Sequence, residues 1–359
     1  MRQRHCGRAS RRRQAPPYNR IRRGRRSVEP VRWGILSTAK IGREKVVPAM
    51  MKSPLCNVLA VASRNPAAAR AMASALGIAR AYGSYEELLA DPEIEAVYNP
   101  LPNHLHVPMT LAAAAAGKHV LCEKPVALDA AEAEQLRAAA DKVLIAEAFM
   151  IRHHPQWLAV RDMVRAGEVG ELRLVHVLFS YFNTDPANIR NKAEIGGGAL
   201  YDIGCYAVIS GRFLFGAEPQ RVVSLVERDP AFGTDRLSSG LADFGGGRRL
   251  VFTVSTQLVP FQRVEVLGTK GRIEIRIPFN APQGEGTRIL VDSGTAHDDA
   301  AARVVSFPPC DQYTLQGEAF SRAVRGEEPL AFGVDDAVAN MRVLDALFRS
   351  AQSGAWEKV

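Results

Sequence analysis

The sequence predicts an α/β protein in two parts: a doubly wound parallel sheet over residues 31–150, then an α+β part over residues 151–359 built on a large, mostly antiparallel, open-faced sheet. Three observations predict it. Short apolar runs alternate with alanine-rich segments of near-3.6 periodicity as far as Met150. From Leu172 onward the runs lengthen, alternate in polarity and are joined by glycine turns such as Gly268-Thr-Lys-Gly271. The chain of 359 residues is 47% hydrophobic, ample for two cores.

In the first part the apolar runs place strands at 31–36, 57–62, 96–99, 119–122 and 143–147. Helices are expected at 67–76, 108–116 and 130–140, and this alternation requires right-handed crossovers between parallel strands. In the second part strands are expected at 172–182, 221–228, 237–244, 248–257, 263–267 and 272–277, read together as one antiparallel sheet. Helices at 313–324 and 334–353 close it. Such a sheet covers its own helices with one face and leaves the other open.

The first strand runs into Ser37-Thr38-Ala39-Lys40-Ile41-Gly42 and then a helix. A dinucleotide-binding turn of the Rossmann type needs a tight bend, a second position without bulk where backbone N–H groups approach the pyrophosphate, and a third that lets the helix pack closely. Ser37, Ala39 and Gly42 occupy those positions, so residues 37–42 are expected to hold a dinucleotide. The second strand ends at Ser63-Arg64, about twenty residues past the turn, where an NAD site carries an acid for the ribose 2′-hydroxyl. No acid stands there. A hydroxyl beside a guanidinium suits a 2′-phosphate, so NADP is expected ahead of NAD.

Cys122-Glu123-Lys124-Pro125 closes the 119–122 strand and puts a lysine at the carboxyl edge of the sheet, where open α/β sheets bind ligands. Read alone, it is equally a surface lysine before a turn proline. Downstream, Gly196 to Gly198 give a backbone without side chains, open to close approach of substrate, and the run after them looks helical. Asp202 and Tyr206, spaced i, i+4, then share one helix face. Without Lys124 they read as a helix-start acid and a partly buried aromatic. With it, an ammonium, a carboxylate and a phenol converge: Lys124 lowers the Tyr206 pKa, the phenolate takes a carbinol proton, and Asp202 orients the substrate.

Taken in order, the S-x-A-x-x-G turn, Ser63-Arg64, Asn99-Pro-Leu-Pro-Asn-His104, Glu123-Lys-Pro125, Glu147-Ala-Phe-Met150 and the segment from Gly196 to Tyr206 resemble the Gfo/Idh/MocA oxidoreductases, from about Val31 to the C-terminus. The resemblance is nearest to a sugar-oxidising branch that includes glucose-fructose oxidoreductase, NADP-dependent xylose dehydrogenase and dimeric dihydrodiol dehydrogenase. Those enzymes share a tyrosine at the place of Tyr206 and the missing acid after the second strand. The resemblance implies that Asn99, Leu101, Pro102, Asn103, His104, Glu123 and Lys124 line the cofactor, with His104 beside the nicotinamide. It also implies a homodimer or homotetramer formed through the open sheet face.

The implied reaction is hydride transfer between NADP and a carbinol or carbonyl carbon of a sugar, related polyol or cyclic diol. Arg152, His153, Asn183, Asp185 and Arg190 stand in segments expected to reach such a substrate together with Asp202, as mixed donors and acceptors suited to several hydroxyls. Two alternatives stay open: a non-catalytic sugar- or nucleotide-sensing regulator of the same fold, and an aldose–aldose oxidoreductase that never releases NADP. The joint presence of Lys124, Asp202 and Tyr206 favours chemistry over sensing.

Five scattered cysteines without a C-x-x-C favour a reducing compartment. His104-x-His106 and His153-His154 lack a partner at zinc-site spacing, so no metal is expected. No apolar stretch is long enough to span a bilayer. The net charge of +8 is uneven: residues 1–30 hold eleven arginines against Glu29, which leaves 35 basic and 37 acidic groups in the rest. That head is expected to be disordered, to be the one segment with an affinity for nucleic acid or an anionic surface, and to lack the apolar core of an export signal. The expectation is a cytoplasmic protein.

Overall fold

The computed structural model describes residues 29–295 and 298–359. The arginine-rich head, residues 1–28, lies outside the described residues.

Six strands, β1 (Val31–Leu36), β2 (Cys56–Ala62), β3 (Arg80–Tyr82), β4 (Ala96–Asn99), β5 (His119–Cys122) and β6 (Ile145–Glu147), form one sheet in the order β3-β2-β1-β4-β5-β6. Every pairing in it is parallel. Strand order reverses between β1 and β4, which opens a crevice at their carboxyl ends. Five of the strands match the expected runs; β3, only three residues at the edge, carries no periodicity to betray it. β6 begins at Ile145 rather than at 143, because the Leu144 N–H is taken by His119 Nδ1 before the ladder starts.

The helices are α1 (Val47–Met50), α2 (Pro66–Leu76), α3 (Tyr85–Ala90), α4 (His106–Ala115), α5 (Ala130–Glu134) and α6 (Arg137–Ala140). Asn65 caps α2 by accepting from the N–H groups of Ala67 and Ala68, Pro66 pre-sets its first turn, and left-handed Gly77 ends it. The expected single helix at 130–140 is broken. Gln135 and Leu136 donate to carbonyls three residues back, and the tightened turn drops Leu136 wholly into the core.

After α7 (Pro155–Arg165) comes β7 (Leu172–Phe182), then α8 (Cys205–Phe215) and the strands β8 (Arg221–Arg228), β9 (Asp235–Asp243), β10 (Arg249–Ser255), β11 (Gln257–Gly268), β12 (Arg272–Ile275), β13 (Thr287–Asp292) and β14 (Arg303–Phe307). Helices α9 (Gln312–Val324) and α10 (Val334–Ser353) and the short β15 (Glu357–Lys358) complete the chain. The sheet order is β14-β13-β12-β11-β7-β10-β9-β8-β15. The sheet is mostly antiparallel, as expected, with one parallel pairing, β10 with β7. The chain leaves β7 through α8, enters at β8 near the far edge and returns as a three-strand meander, which turns β10 into the direction of β7. α7, β13, β14 and β15 were not anticipated.

Val175, Val177 and Phe179 of β7 face inward, while the opposite face leaves Leu225 77% exposed. The two sheets are clamped by the end of the chain. Phe320 of α9 packs on Trp33 of β1 with ring centroids 5.4 Å apart, and α10 contacts both α5 and β8. Among the described residues no helix is long and apolar enough to cross a membrane.

Candidate active site

The site is assembled at the carboxyl ends of β1, β2, β4 and β5 and is closed over by residues after β7. At the end of β1, Ser37 takes φ of 112°, the left-handed side that glycine normally occupies in such turns, and its Oγ accepts from the Ala39 N–H at 3.2 Å. A helix follows at once, with a π register over Gly42–Val46. Its first-turn N–H groups point back at the strand end, as a pyrophosphate site requires. Gly42 is less constrained than expected: an added Cβ would meet Tyr98 Cε1 at 3.5 Å, an ordinary contact. Thr38, Lys40 and Ile41 belong to the same turn.

At the end of β2, Ser63 is buried and its Oγ accepts from Asn65 N, while the exposed Arg64 guanidinium lies beside the Tyr85 hydroxyl. The Asn99 side chain, expected against the cofactor, is wholly buried; it donates to the His106 carbonyl and to Thr110 Oγ1 and accepts from Leu101 N. It therefore shapes the turn rather than touching a ligand. Past it stand Leu101, Pro102, Asn103 and His104; Asn103 Nδ2 donates to the Gly196 carbonyl at 2.8 Å, and His104 Nδ1 is buried without a hydrogen-bond partner. Glu123 accepts from Tyr98 Oη at 2.6 Å, and burial holds its carboxyl above the usual range.

Lys124 follows β5 through a cis peptide bond to Pro125. Its ammonium donates to the main-chain oxygen of Asp202 at 2.7 Å and to Asp202 Oδ1 at 3.2 Å. Asp202 Oδ2 accepts from Tyr181 Oη at 2.6 Å and meets Arg190 Nε at 2.8 Å. Burial alone would raise the Asp202 pKa, but the Arg190 and Lys124 cations hold it well below the ordinary value. Burial would lower Lys124, yet the Asp202 carboxylate outweighs it and the net shift is upward. The lysine is an ammonium and the aspartate a carboxylate across the working pH range.

Two expectations are corrected here. Burial pushes the Tyr206 phenol well above its ordinary pKa, so Lys124 does not produce a phenolate. The ammonium sits 5.0 Å from the Tyr206 ring centroid, against the ring, while Tyr206 Oη donates to Met150 Sδ at 3.3 Å. Asp202 lies in a π turn, Leu200–Gly204, and Tyr206 in α8, so their i, i+4 spacing is not the shared face of one α-helix. Asp202, moreover, spends both carboxylate oxygens on Lys124, Tyr181 and Arg190, and so orients those groups.

The glycine run also serves the protein. A Cβ on Gly196 would lie 2.5 Å from Leu128 Cδ2, one on Gly197 2.6 Å from the Arg190 carbonyl oxygen, and one on Gly198 inside the Asp235 carboxylate. These glycines allow the chain to press on the Arg190 loop and β9, and no open substrate cradle results.

Of the expected substrate residues, Arg190 alone joins the cluster with Asp202. Arg152 is 4% exposed, pairs with Asp336 Oδ2 and lies 4.0 Å from the Phe332 ring centroid, part of the packing between α10 and the 150–153 turn. His153 follows it, with burial pushing its imidazole down to about 4. Asn183 Oδ1 accepts from Asp185 N and so closes a turn on the loop after β7, where Asp185 is exposed. Tyr181 was missed. Its one available signal was alternation: in β7 it falls on the same face as Val177 and Phe179, which leads inward. Among the described residues no group of three or more His, Cys, Asp or Glu is placed to hold a metal ion.

Residues 31–144 match the oxidoreductase family with an NAD-binding Rossmann fold, and residues 157–274 match the GFO/IDH/MocA C-terminal domain. An uncharacterized oxidoreductase of Rhizobium meliloti is 49% identical over 334 residues, 92% of this chain and all of that protein. The D-xylose 1-dehydrogenase (NADP(+)) 2 of Haloferax volcanii is 38% identical over 90% of this chain and 98% of its own. Among solved structures, a 3-ketoreductase from Actinomadura kijaniata in complex with NADP and TDP-benzene superposes with a TM-score of 0.83 at 29% identity, covering 89% of this chain and 98% of that one.

Proposed function

This chain belongs to the Gfo/Idh/MocA family of oxidoreductases, and from that premise we propose that it is an NADP-dependent dehydrogenase or reductase acting on a CH–OH or C=O carbon of a sugar or related polyol. One observation carries the reading: the Lys124 ammonium, at the carboxyl end of β5, is fixed by Asp202 beside a dinucleotide turn. The residues fit the cofactor. The Ser37 turn presents main-chain N–H groups without a bulky side chain, exposed Arg64 after β2 would hold a 2′-phosphate, and His104 Nδ1, buried without a hydrogen-bond partner, would meet the nicotinamide.

NADP, when bound, takes or returns the hydride. Lys124 keeps one ammonium hydrogen beyond the two directed at Asp202, and that hydrogen binds the substrate oxygen and steadies it as an alkoxide. Tyr206, kept a phenol by burial, leaves Met150 Sδ and delivers its proton to the alkoxide formed when a carbonyl is reduced, the direction that a protonated resting state serves. The relatives support the substrate class, one being a D-xylose 1-dehydrogenase and another a dTDP-3,4-didehydro-2,6-dideoxy-α-D-glucose 3-reductase. The open sheet face, with Leu225 on it, fits a second copy of the chain, a homodimer or homotetramer that sedimentation would reveal.

The test is turnover of a panel of free aldoses headed by D-xylose, with NADP and NAD, for wild type, Lys124→Met and Tyr206→Phe. Each variant is expected to lose about a hundred- to ten-thousandfold in kcat, with NADPH affinity within about threefold of wild type. Near wild-type turnover in both variants overturns the proton assignment. Denaturing the purified protein and recording the absorption spectrum of what is released tells whether cofactor is retained between turnovers.

A further inference from the structure

His106, the second histidine of the His104-x-His106 pair, is 1% exposed at the start of α4 and touches no metal-ligand partner. Its ring stands between two main-chain oxygens: Nδ1 lies 2.7 Å from the Pro125 carbonyl and Nε2 lies 2.6 Å from the Leu101 carbonyl. Those carbonyls belong to separate loops. Leu101 leads the turn through Asn103 and His104 on the nicotinamide side, and Pro125 follows Lys124. The two loops are otherwise tied near this point by Glu123 N donating to the Asn99 carbonyl. Burial pushes the His106 imidazole down to about 4, with Lys124 and His104 adding to the shift, so near neutral pH the ring carries one proton. One contact at a time is then a hydrogen bond, and the tautomer decides which of the two loops the ring holds.

We propose that His106 is a positioning residue that couples the cofactor turn at Leu101 to the loop carrying Lys124, each ring nitrogen serving one loop. This rests on the oxidoreductase reading above. Asparagine carries an amide N–H group close to the place of Nδ1, and glutamine carries one close to the place of Nε2. His106→Asn therefore keeps the Pro125 contact and releases the cofactor turn. His106→Gln keeps the Leu101 contact and releases the Lys124 loop.

The experiment titrates NADPH by fluorescence into wild type and both variants, and measures kcat on the best aldose of the panel. A lost hydrogen bond of ordinary net strength corresponds to about a fivefold change. His106→Asn is expected to weaken NADPH binding about fivefold with kcat within about twofold, and His106→Gln to lower kcat about fivefold with NADPH binding within about twofold. Parallel changes in both quantities, or none, overturn the proposal, since a residue that merely fills the core moves both together. If neither variant folds, nitrogen NMR of histidine-labelled wild type decides: NADPH should redistribute the proton between Nδ1 and Nε2, and unchanged resonances overturn the coupling. A wild type that binds neither NADPH nor NADH defeats the oxidoreductase reading itself, and the inference with it.

Discussion

Lys124 and Asp202, 78 residues apart, meet twice: the ammonium donates to the aspartate's main-chain oxygen at 2.7 Å and to Oδ1 at 3.2 Å. Fixing both the backbone and the side chain of one residue makes the β5 loop and the π turn before α8 a single unit.

The pair sets a pH window. Asp202 has a depressed pKa, so its contribution is present above the ordinary carboxylate value and is lost as pH falls through the folded value. Lys124 has a raised pKa, so its contribution is present below the ordinary lysine value and is lost as pH rises beyond it. Asp202→Asn, which leaves a buried ammonium unpaired, should cost about 3 kcal/mol, and that cost should be constant from about pH 5 to about pH 9. Urea unfolding at pH values spanning this window checks it; a loss that varies across it would mean that another group carries the effect.

Tyr181→Phe removes one of the two donors on Asp202 Oδ2 and leaves Arg190 as the other. Arg190 is then free to pull the carboxylate off Lys124. The expected result is a fall in kcat of about fivefold with NADPH binding unchanged, comparable to one ordinary hydrogen bond. Steady-state kinetics beside an NADPH titration separates the two parameters, and weakened NADPH binding would place Tyr181 in a different role.

Arg64 is the test of cofactor choice. NADPH should bind at least about tenfold tighter than NADH, about 1.4 kcal/mol, a modest amount for one guanidinium–phosphate contact. Arg64→Ala should bring the two affinities together mainly by weakening NADPH. Equal affinities in the wild type would remove the argument from Ser63-Arg64.

Much of the fold was legible because the parallel strands are buried on both faces and appear as unbroken apolar runs; 31–36, 96–99 and 119–122 were bounded to the residue. β14 was invisible for the opposite reason: Val304 is 54% exposed on an edge and carries no burial signal. At the site, Lys124 and Asp202 were legible from a strand end and a glycine run, but their geometry was not. The i, i+4 argument for Asp202 and Tyr206 assumed an α-helix, and no residue pattern announces the π turn at Leu200–Gly204. Arg152 was misplaced because a charged residue beside histidines looks solvated, whereas Asp336, 184 residues away, pairs with it in the core.

Glu147, at the end of β6, offers the sharpest pH prediction. Its Oε1 accepts from Val126 N at 2.9 Å, just after Lys124 and Pro125, while Oε2 is buried without a partner. Burial, opposed by the Arg152 guanidinium, raises its pKa from 4.5 to about 8. A carboxyl whose folded value lies above its unfolded value binds a proton on folding, so its contribution to stability falls as pH rises from about 4.5 to about 8 and is level beyond. Glu147→Gln keeps an acceptor for Val126 N and removes the titration. The variant should therefore gain stability relative to wild type as pH rises through that window, read as the difference in unfolding free energy at successive pH values. If wild type and variant instead run parallel, Glu147 is ionised in the folded protein and Arg152 is its partner.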